Sequence, residues 1–304
     1  MKKQLLKYIL PSSVQKRLAL RINHWKHCFF LNDLRRKIIT YYSARKHLTL
    51  EEKEILNFLK LNPLHVFPYS FVKKYNFNEI QIFYDEIKDL KYVNYYQKKL
   101  YFKRRMSEQA IKSLFIGLLI DQDENSPHRY LDKKFQVDNT DIVVDAGAAE
   151  GNFSLLIIDY VQKIILFESD PEWIEPLNAT FEPWKDKVEI IQKKISDKTD
   201  EFEIKLDDFY EHEKFTFIKA DIEGYESKLI EGLRGTLKKE IPLKLAICTY
   251  HQQEDFMSFS RILQKNHFYL SSPRGYMIFY YDKDIQPPFL RKGILRAEKE
   301  IAST

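Results

Sequence analysis

Glycine is scarce in this chain. Only 8 of 304 residues are glycine, well under the ~7% usual for globular proteins. A cluster of glycines therefore marks a place where the backbone demands one. Cysteine is scarcer still. Cys28 and Cys248 are the only two, which excludes a multi-bridge framework, and no Cys-x-x-Cys pair exists to hold zinc. That usage points to a reducing compartment, the cytoplasm. Long apolar runs are also missing. The longest, residues 111–120 (IKSLFIGLLI), is far short of the ~20 residues that span a bilayer. The start, MKKQLLKYIL, is basic, but its apolar stretch breaks at once into PSSVQKR, so a signal peptide is not expected. There is no internal repeat and no low-complexity tract.

What is present reads as soluble and globular. Hydrophobic residues make up 44%, charged residues 31%, and 22 Phe with 19 Tyr supply ample surface to bury, which excludes intrinsic disorder. The length suits one large domain or two ordinary ones. The net charge of +5 hides an asymmetry. Residues 1–46 carry twelve Lys/Arg against Asp33 alone, a local balance of +11, and the remainder is acidic at −6. The bland reading of this end is a solvated helical face. The sharper one is an amphipathic surface meeting anionic lipid or a lipid-linked glycan, with nucleic acid the less favoured partner.

Apolar residues near the start recur at helical spacing: Leu5, Leu6, Ile9 and Leu10, then Val14, Leu18 and Ile22. Thr49 and Glu52 form a capping box that opens a helix to about Lys60. Residues 80–84, 91–96 and 99–103 read as short strands, the last two a hairpin around Gln97-Lys98. Ser107 caps a helix through Ile120. Residues 1–130 are thus expected to form a mainly helical N-terminal region with a small β element. After residue 130 the texture changes. Apolar runs at 141–146, 163–168, 187–192, 215–221 and 243–250 alternate with segments that are mostly helical in pattern. That alternation predicts βαβ units and a parallel sheet. Strand-like runs at 268–270, 276–281 and 293–297 are expected to pair antiparallel at its edge.

In an open parallel sheet, ligands sit beyond the carboxyl ends of the strands. The first predicted strand ends in Asp145, opening DAGAAEG (145–151). Gly147 and Gly151 allow a tight turn, and the next helix begins near Asn152 with free N–H groups. The dinucleotide fingerprint fails, because Ala149 and Asn152 stand where it needs glycine. The second strand ends in Glu168, about 20 residues on, where an acid accepts hydrogen bonds from ribose hydroxyls. The third leads to Ile195-Ser196, the fourth ends in Asp221, and the fifth in Tyr250-His251. A glycine loop with a ribose acid fits a nucleoside cofactor without a pyrophosphate as well as one with it.

Residues 141–251 resemble the FkbM family of S-adenosylmethionine-dependent methyltransferases. DIVVDAGAAEGNFSLL is similar to its first motif, LFESDP to its second, and FTFIKADIEGYESKLIEGL to its block around the fourth strand. The resemblance runs from about residue 130 to 297. It implies a Rossmann-like class I methyltransferase core at 131–304, a mostly parallel seven-stranded sheet with helices on both faces. It further implies that Asp145, Gly147, Ala149, Gly151 and Asn152 hold the methionine and ribose side of the cofactor. Glu168 and Ser169 would meet the ribose, Ile195 and Ser196 the adenine, and Asp221 would lie below the sulfonium. Glu150 departs from the small residue frequent at its position and is expected to point outward, the alternative being contact with the acceptor or with the amino group of the cofactor. Residues 1–130 are not expected to contribute to cofactor binding.

The substrate class the resemblance implies is a hydroxyl, of a sugar or glycoconjugate. A hydroxyl is a weak nucleophile at neutral pH, so a general base is needed. His251 is the first candidate, with an ordinary pKa near 6.5. Asp221 is the second, with Asp221 or Glu223 orienting the imidazole. A divalent metal suits the ligand types of Asp221, Glu223 and His251 but is not favoured. The Asn/Asp-Pro-Pro-aromatic pattern of base amino methylation is absent after the fourth strand. The alternatives are an RNA-directed methyltransferase using the basic end, and a non-catalytic cofactor-binding or assembly protein.

Overall fold

The computed structural model describes residues 12–282 and 284–299, with side chains from Trp25 onward. The helical pattern at Leu5–Leu10 lies outside the described residues. The chain divides into two compact units, residues 1–70 with 278–290, and residues 71–277 with 291–304.

The first unit is helical. Helix Ser12–Ser43 is followed by helix Leu50–Leu61. The capping box that opens the second is present in both directions: Thr49 Oγ1 accepts from Glu52 N, and Glu52 accepts from Thr49 N. Ile38, Tyr42, Ile55 and Leu59 are buried. Arg35 Nε donates to the Leu59 carbonyl at 2.6 Å, tying the helices together. The returning segment 278–290 is stitched in by Tyr42 Oη to Pro288 O at 2.6 Å and Ile278 N to Val66 O at 2.8 Å.

The second unit carries twelve strands among the described residues, numbered in chain order. Strands β1 (Phe83–Asp85), β2 (Leu90–Tyr95) and β3 (Lys98–Tyr101) form an antiparallel sheet. The β2–β3 turn places Tyr96 and Gln97 at positive φ. A helix, Glu108–Asp121, is capped by Ser107. Then come β4 (Ile142–Ala146), β5 (Lys163–Phe167), β6 (Val188–Ile191), the short pair β7 (Lys194–Ser196) and β8 (Glu203–Lys205), β9 (Phe217–Ala220), β10 (Leu243–Cys248), β11 (Tyr269–Ser271) and β12 (Ile294–Lys299). Seven of them make one sheet in the order β11-β12-β10-β9-β4-β5-β6. β4, β5, β6, β9 and β10 run parallel, and β11 and β12 pair antiparallel at one side. The central strands are apolar on both faces, as a covered parallel sheet requires. Val144, Ile165, Ile218, Leu245 and Leu295 are all buried in one core cluster with Leu229, Leu233, Phe259 and Leu263 from the intervening helices.

Two expectations are corrected. The units do not divide near residue 130. Segment 71–130 belongs with the large sheet, because its groups have partners there: Tyr101 N donates to Thr180 Oγ1 at 3.1 Å, and Lys103 pairs with Asp170. Residues 276–281 are not an edge strand. They make one isolated bridge, Met277 to Arg291, and from Ile278 the chain joins the helical unit.

Candidate active site

Strand register sets the base of the site. β4 and β9 are parallel neighbours with Asp145 opposite Lys219. Lys219 Nζ therefore meets Asp145 Oδ1 at 2.9 Å, with both side chains buried, and also donates to Gly147 O at 2.7 Å. Burial opposes the Lys219 charge, but Asp145 and Asp221 hold the ammonium above its ordinary pKa. Ser154 Oγ donates to the other Asp145 oxygen at 2.7 Å.

The two loops above this pair approach closely. Gly147 has φ +73°, and a Cβ there would lie 2.1 Å from the Asp221 carbonyl oxygen. Only glycine fits. The loop is then fixed by Glu168, whose Oε2 accepts from Ala149 N at 2.7 Å and whose Oε1 accepts from Asp170 N at 2.7 Å.

A cleft of about 280 Å³ opens at these strand ends. Its lining includes Gly147, Ala149, Asn152, Glu168, Ser169, Ile195, Asp221 and Glu223, all expected from sequence. Asp145, Gly151, Ser196 and His251 are not in the lining. Asp145 is taken up by Lys219. Gly151 caps the next helix, with no room for a Cβ against Leu177 and Phe181. Ser196 is buried and donates to Asp197.

Asp221 is the hub of the cleft. Tyr250 Oη donates to its Oδ1 at 3.0 Å and Tyr130 Oη to its Oδ2 at 3.1 Å. His128 Nε2 lies 3.6 Å from Oδ2, and His251 Nε2 lies 4.0 Å from Oδ1. Burial works to raise this carboxyl, but His128, Lys219 and His251 hold it well below the usual carboxylate range. The same burial pushes the Tyr130 and Tyr250 phenols far above theirs, so both remain donors.

His251 departs from expectation in a second way. Its Nδ1 lies 3.1 Å from Glu226 Oε1 and its Nε2 lies 3.7 Å from Glu223 Oε2. Burial alone would lower its pKa, but Glu223, Glu226 and Asp221 raise it to about 10. The imidazole is a charged partner of carboxylates at neutral pH, not a base near 6.5. Donor atoms of Asp221, Glu226 and His251 fall within 4.8 Å of one another, as do those of His128, Asp221 and Cys248. Glu226 thus takes the place expected for Glu223, whose side chain is 92% exposed. Glu150 does not point outward. It is 5% exposed and lines the cleft, and burial raises its carboxyl to about 7.

Residues 176–271 match the family model of the methyltransferase FkbM domain. Over residues 176–271 the chain is similar to an FkbM domain. Its seven-stranded, mostly parallel sheet with intervening helices is the Rossmann-like methyltransferase architecture. Among solved structures, the chain is similar to methyltransferase FkbM from Methylobacillus flagellatus KT, at 17% identity over 62% of this chain and 53% of that one, TM-score 0.43. It thus spans about half the length of that protein. It is also similar to the M. jannaschii tRNA m1G37 methyltransferase, at 16% identity over 71% and 57%, TM-score 0.42. A candidate methyltransferase from Streptococcus mutans, solved in complex with SAH, is 17% identical over 54% and 91%, TM-score 0.38. No curated protein matches the sequence.

The matched FkbM segment contains Ile195, Asp221, Glu223, Glu226 and His251. Several cleft residues lie upstream of it and were missed by sequence reasoning. Leu118, Asp121, Gln122, His128 and Tyr130 all line the cleft, so residues before 131 form part of its wall. Arg296 carries them in: its Nε donates to Tyr130 O at 2.8 Å and its Nη2 to Arg129 O at 2.8 Å. The one sequence signal was an acid, Asp121, closing the apolar run 111–120. His128 and Tyr130 gave none, because a strand-end rule does not reach a segment that precedes the first strand.

Proposed function

We propose that the chain is an S-adenosylmethionine-dependent O-methyltransferase whose acceptor is a hydroxyl of a sugar or glycoconjugate. The observation that carries this reading is the Asp221 carboxylate, lining the cleft and hydrogen-bonded by two tyrosines. When bound, the cofactor supplies a methyl group already electrophilic on a sulfonium, and its sulfur keeps the electron pair of the broken carbon–sulfur bond. The residues present fit such a group: Glu168 for a ribose diol at one end, Ile195 and Phe167 for an apolar ring, and an anionic Asp221 for a cation.

The chain's own task is alignment and proton removal. Asp221 accepts the hydrogen bond of the acceptor hydroxyl and orients the oxygen lone pair for attack. The hydroxyl proton passes to an imidazole beside Asp221. We assign that role to His128, because it lines the cleft, and give His251 the task of holding Asp221 charged.

Cofactor binding is the first test. Glu168→Ala removes a ribose acceptor and two backbone anchors at once. A charge-assisted hydrogen bond contributes about 1.5–3 kcal/mol, so affinity for SAH is expected to fall at least about tenfold by calorimetry. Unchanged affinity in the folded variant would sink the assignment.

The basic end fits an anionic surface in this reading. Trp25 and Phe29 stack at 6.0 Å on the first helix and are 69% and 65% exposed, with Arg36 and Lys37 further along it. The chain is expected to float with vesicles containing anionic phospholipid and to detach in high salt. Salt-sensitive RNA binding without flotation would favour the RNA-directed alternative.

A further inference from the structure

Cys248 ends β10 beside Asp221 and has no task in methyl transfer. β9 and β10 run parallel with Ile247 opposite Ala220, so Cys248 and Asp221 come next along both strands. His128 joins them from the segment before β4, which Arg296 fastens through the Arg129 and Tyr130 carbonyls. His128 Nε2 lies 3.5 Å from Cys248 Sγ and 3.6 Å from Asp221 Oδ2. The three donor atoms all fall within 4.8 Å of one another. Cys248 and His128 are buried, while Asp221 reaches the cleft that it lines. At 3.6 Å the imidazole and the carboxylate are too far apart for a direct hydrogen bond. The spacings are instead the edges of a coordination tetrahedron. With metal bonds of about 2.3 Å to sulfur and about 2.0–2.1 Å to nitrogen or oxygen, sulfur and nitrogen stand about 3.5 Å apart, and nitrogen and oxygen about 3.4 Å.

We propose that His128, Asp221 and Cys248 bind a thiophilic divalent cation, with zinc the best fit, and leave its fourth position open to the cleft. A thiolate with an imidazole suits zinc, whereas magnesium and calcium take oxygen ligands. Tyr130 Oη flanks the set, 3.1 Å from Asp221 Oδ2 and 3.9 Å from Cys248 Sγ. It holds the carboxylate by one lone pair of Oδ2 and leaves the other for the cation. As the metal–sulfur bond forms, the thiol gives its proton to solvent and the thiolate supplies the electron pair. The neighbouring set Asp221, Glu226 and His251 is the poorer site. Its imidazole already lies 3.1 Å from Glu226 and 3.7 Å from Glu223, and it offers no sulfur. Binding at His128 does not depend on the methyltransferase reading. On that reading it has a consequence: the cation occupies the proton-accepting imidazole, so cation and acceptor exclude each other and zinc inhibits transfer.

The test is a titration of the full, reduced chain with cobalt(II), followed by absorption, with zinc added afterwards. The expected result is a thiolate-to-cobalt charge-transfer band in the near ultraviolet, with the intense visible bands of a four-coordinate ion. Zinc should bleach both. Cys248→Ser should abolish the charge-transfer band. Partners of a metal ligand alone are worth about 10–100-fold in affinity, so His128→Gln, which removes a ligand, should cost at least about 100-fold. Cys28→Ser should leave the band intact, because Cys28 lies on the first helix. The chain has two cysteines, so that variant assigns the band to Cys248 even if Cys248→Ser does not fold. A wild type without the band overturns the site. So does a band that Cys28→Ser removes, or one that survives Cys248→Ser. A chain that shows the band but transfers no methyl group keeps the metal site and loses the methyltransferase reading.

Discussion

Asp221→Asn is expected to lower kcat for methyl transfer by about 10²–10⁴-fold, with SAH affinity changed far less. The side chain is nearly the same size, so the cleft keeps its shape. What changes is the charge that two tyrosines and two imidazoles converge on. An amide also presents a donor where the acceptor hydroxyl needs an acceptor. His128→Ala should cost a comparable factor, because His128 lines the cleft. His251→Ala should cost less, because His251 stands outside the lining. The reverse order, with His251→Ala the more damaging, would return the proton to His251. The pH dependence of stability checks its charge separately. The folded pKa of about 10 exceeds the unfolded ~6.5, so this contribution is complete below ~6.5 and is lost as pH rises through about 10. His251→Gln should flatten the fall in stability between pH 7 and 10. An unaltered curve would show that the ring is not charged there.

Asp145→Asn should be the most destabilising change in the large sheet. It leaves Lys219 charged and buried, with 6% side-chain exposure, beside a neutral amide. Breaking one side of a buried pair costs about 3–5 kcal/mol. The denaturant midpoint is expected to fall accordingly. The double change Asp145→Leu with Lys219→Met should lose less than Asp145→Asn alone, because no uncompensated charge stays behind. Additive losses would mean that the two residues act independently, despite their 2.9 Å contact.

The reading of the sheet succeeded because burial on both faces leaves an apolar run with little ambiguity. Predicted strands at 141–146, 163–168 and 243–250 correspond to β4, β5 and β10. Caps at Thr49 and Ser107 were equally legible, since their hydrogen bonds are local. The run 276–281 misled. Its aromatic and β-branched residues have strand propensity, but Met277 makes only an isolated bridge and from Ile278 the chain pairs within the helical unit, and propensity yields to tertiary context. The strand-end rule found Asp221, Glu168 and the Gly147 loop, because position along a parallel strand fixes which edge a residue reaches.

Charge state was beyond the sequence. An imidazole after a strand reads as a base near 6.5, yet three carboxylates from 221, 223 and 226 meet it only once the fold has formed. Glu150 read as outward because a turn residue usually is, and became buried when residues 118–130 came over the strand ends to line the same cleft. The sequence by itself determined the parallel sheet, the glycine loop and which edge carries the acids, because periodicity and spacing are local properties of the chain. The tertiary structure decided which of those acids are paired, which are open to a ligand, and that His128 and Tyr130 stand beside Asp221, because desolvation and charge pairing depend on residues distant in sequence.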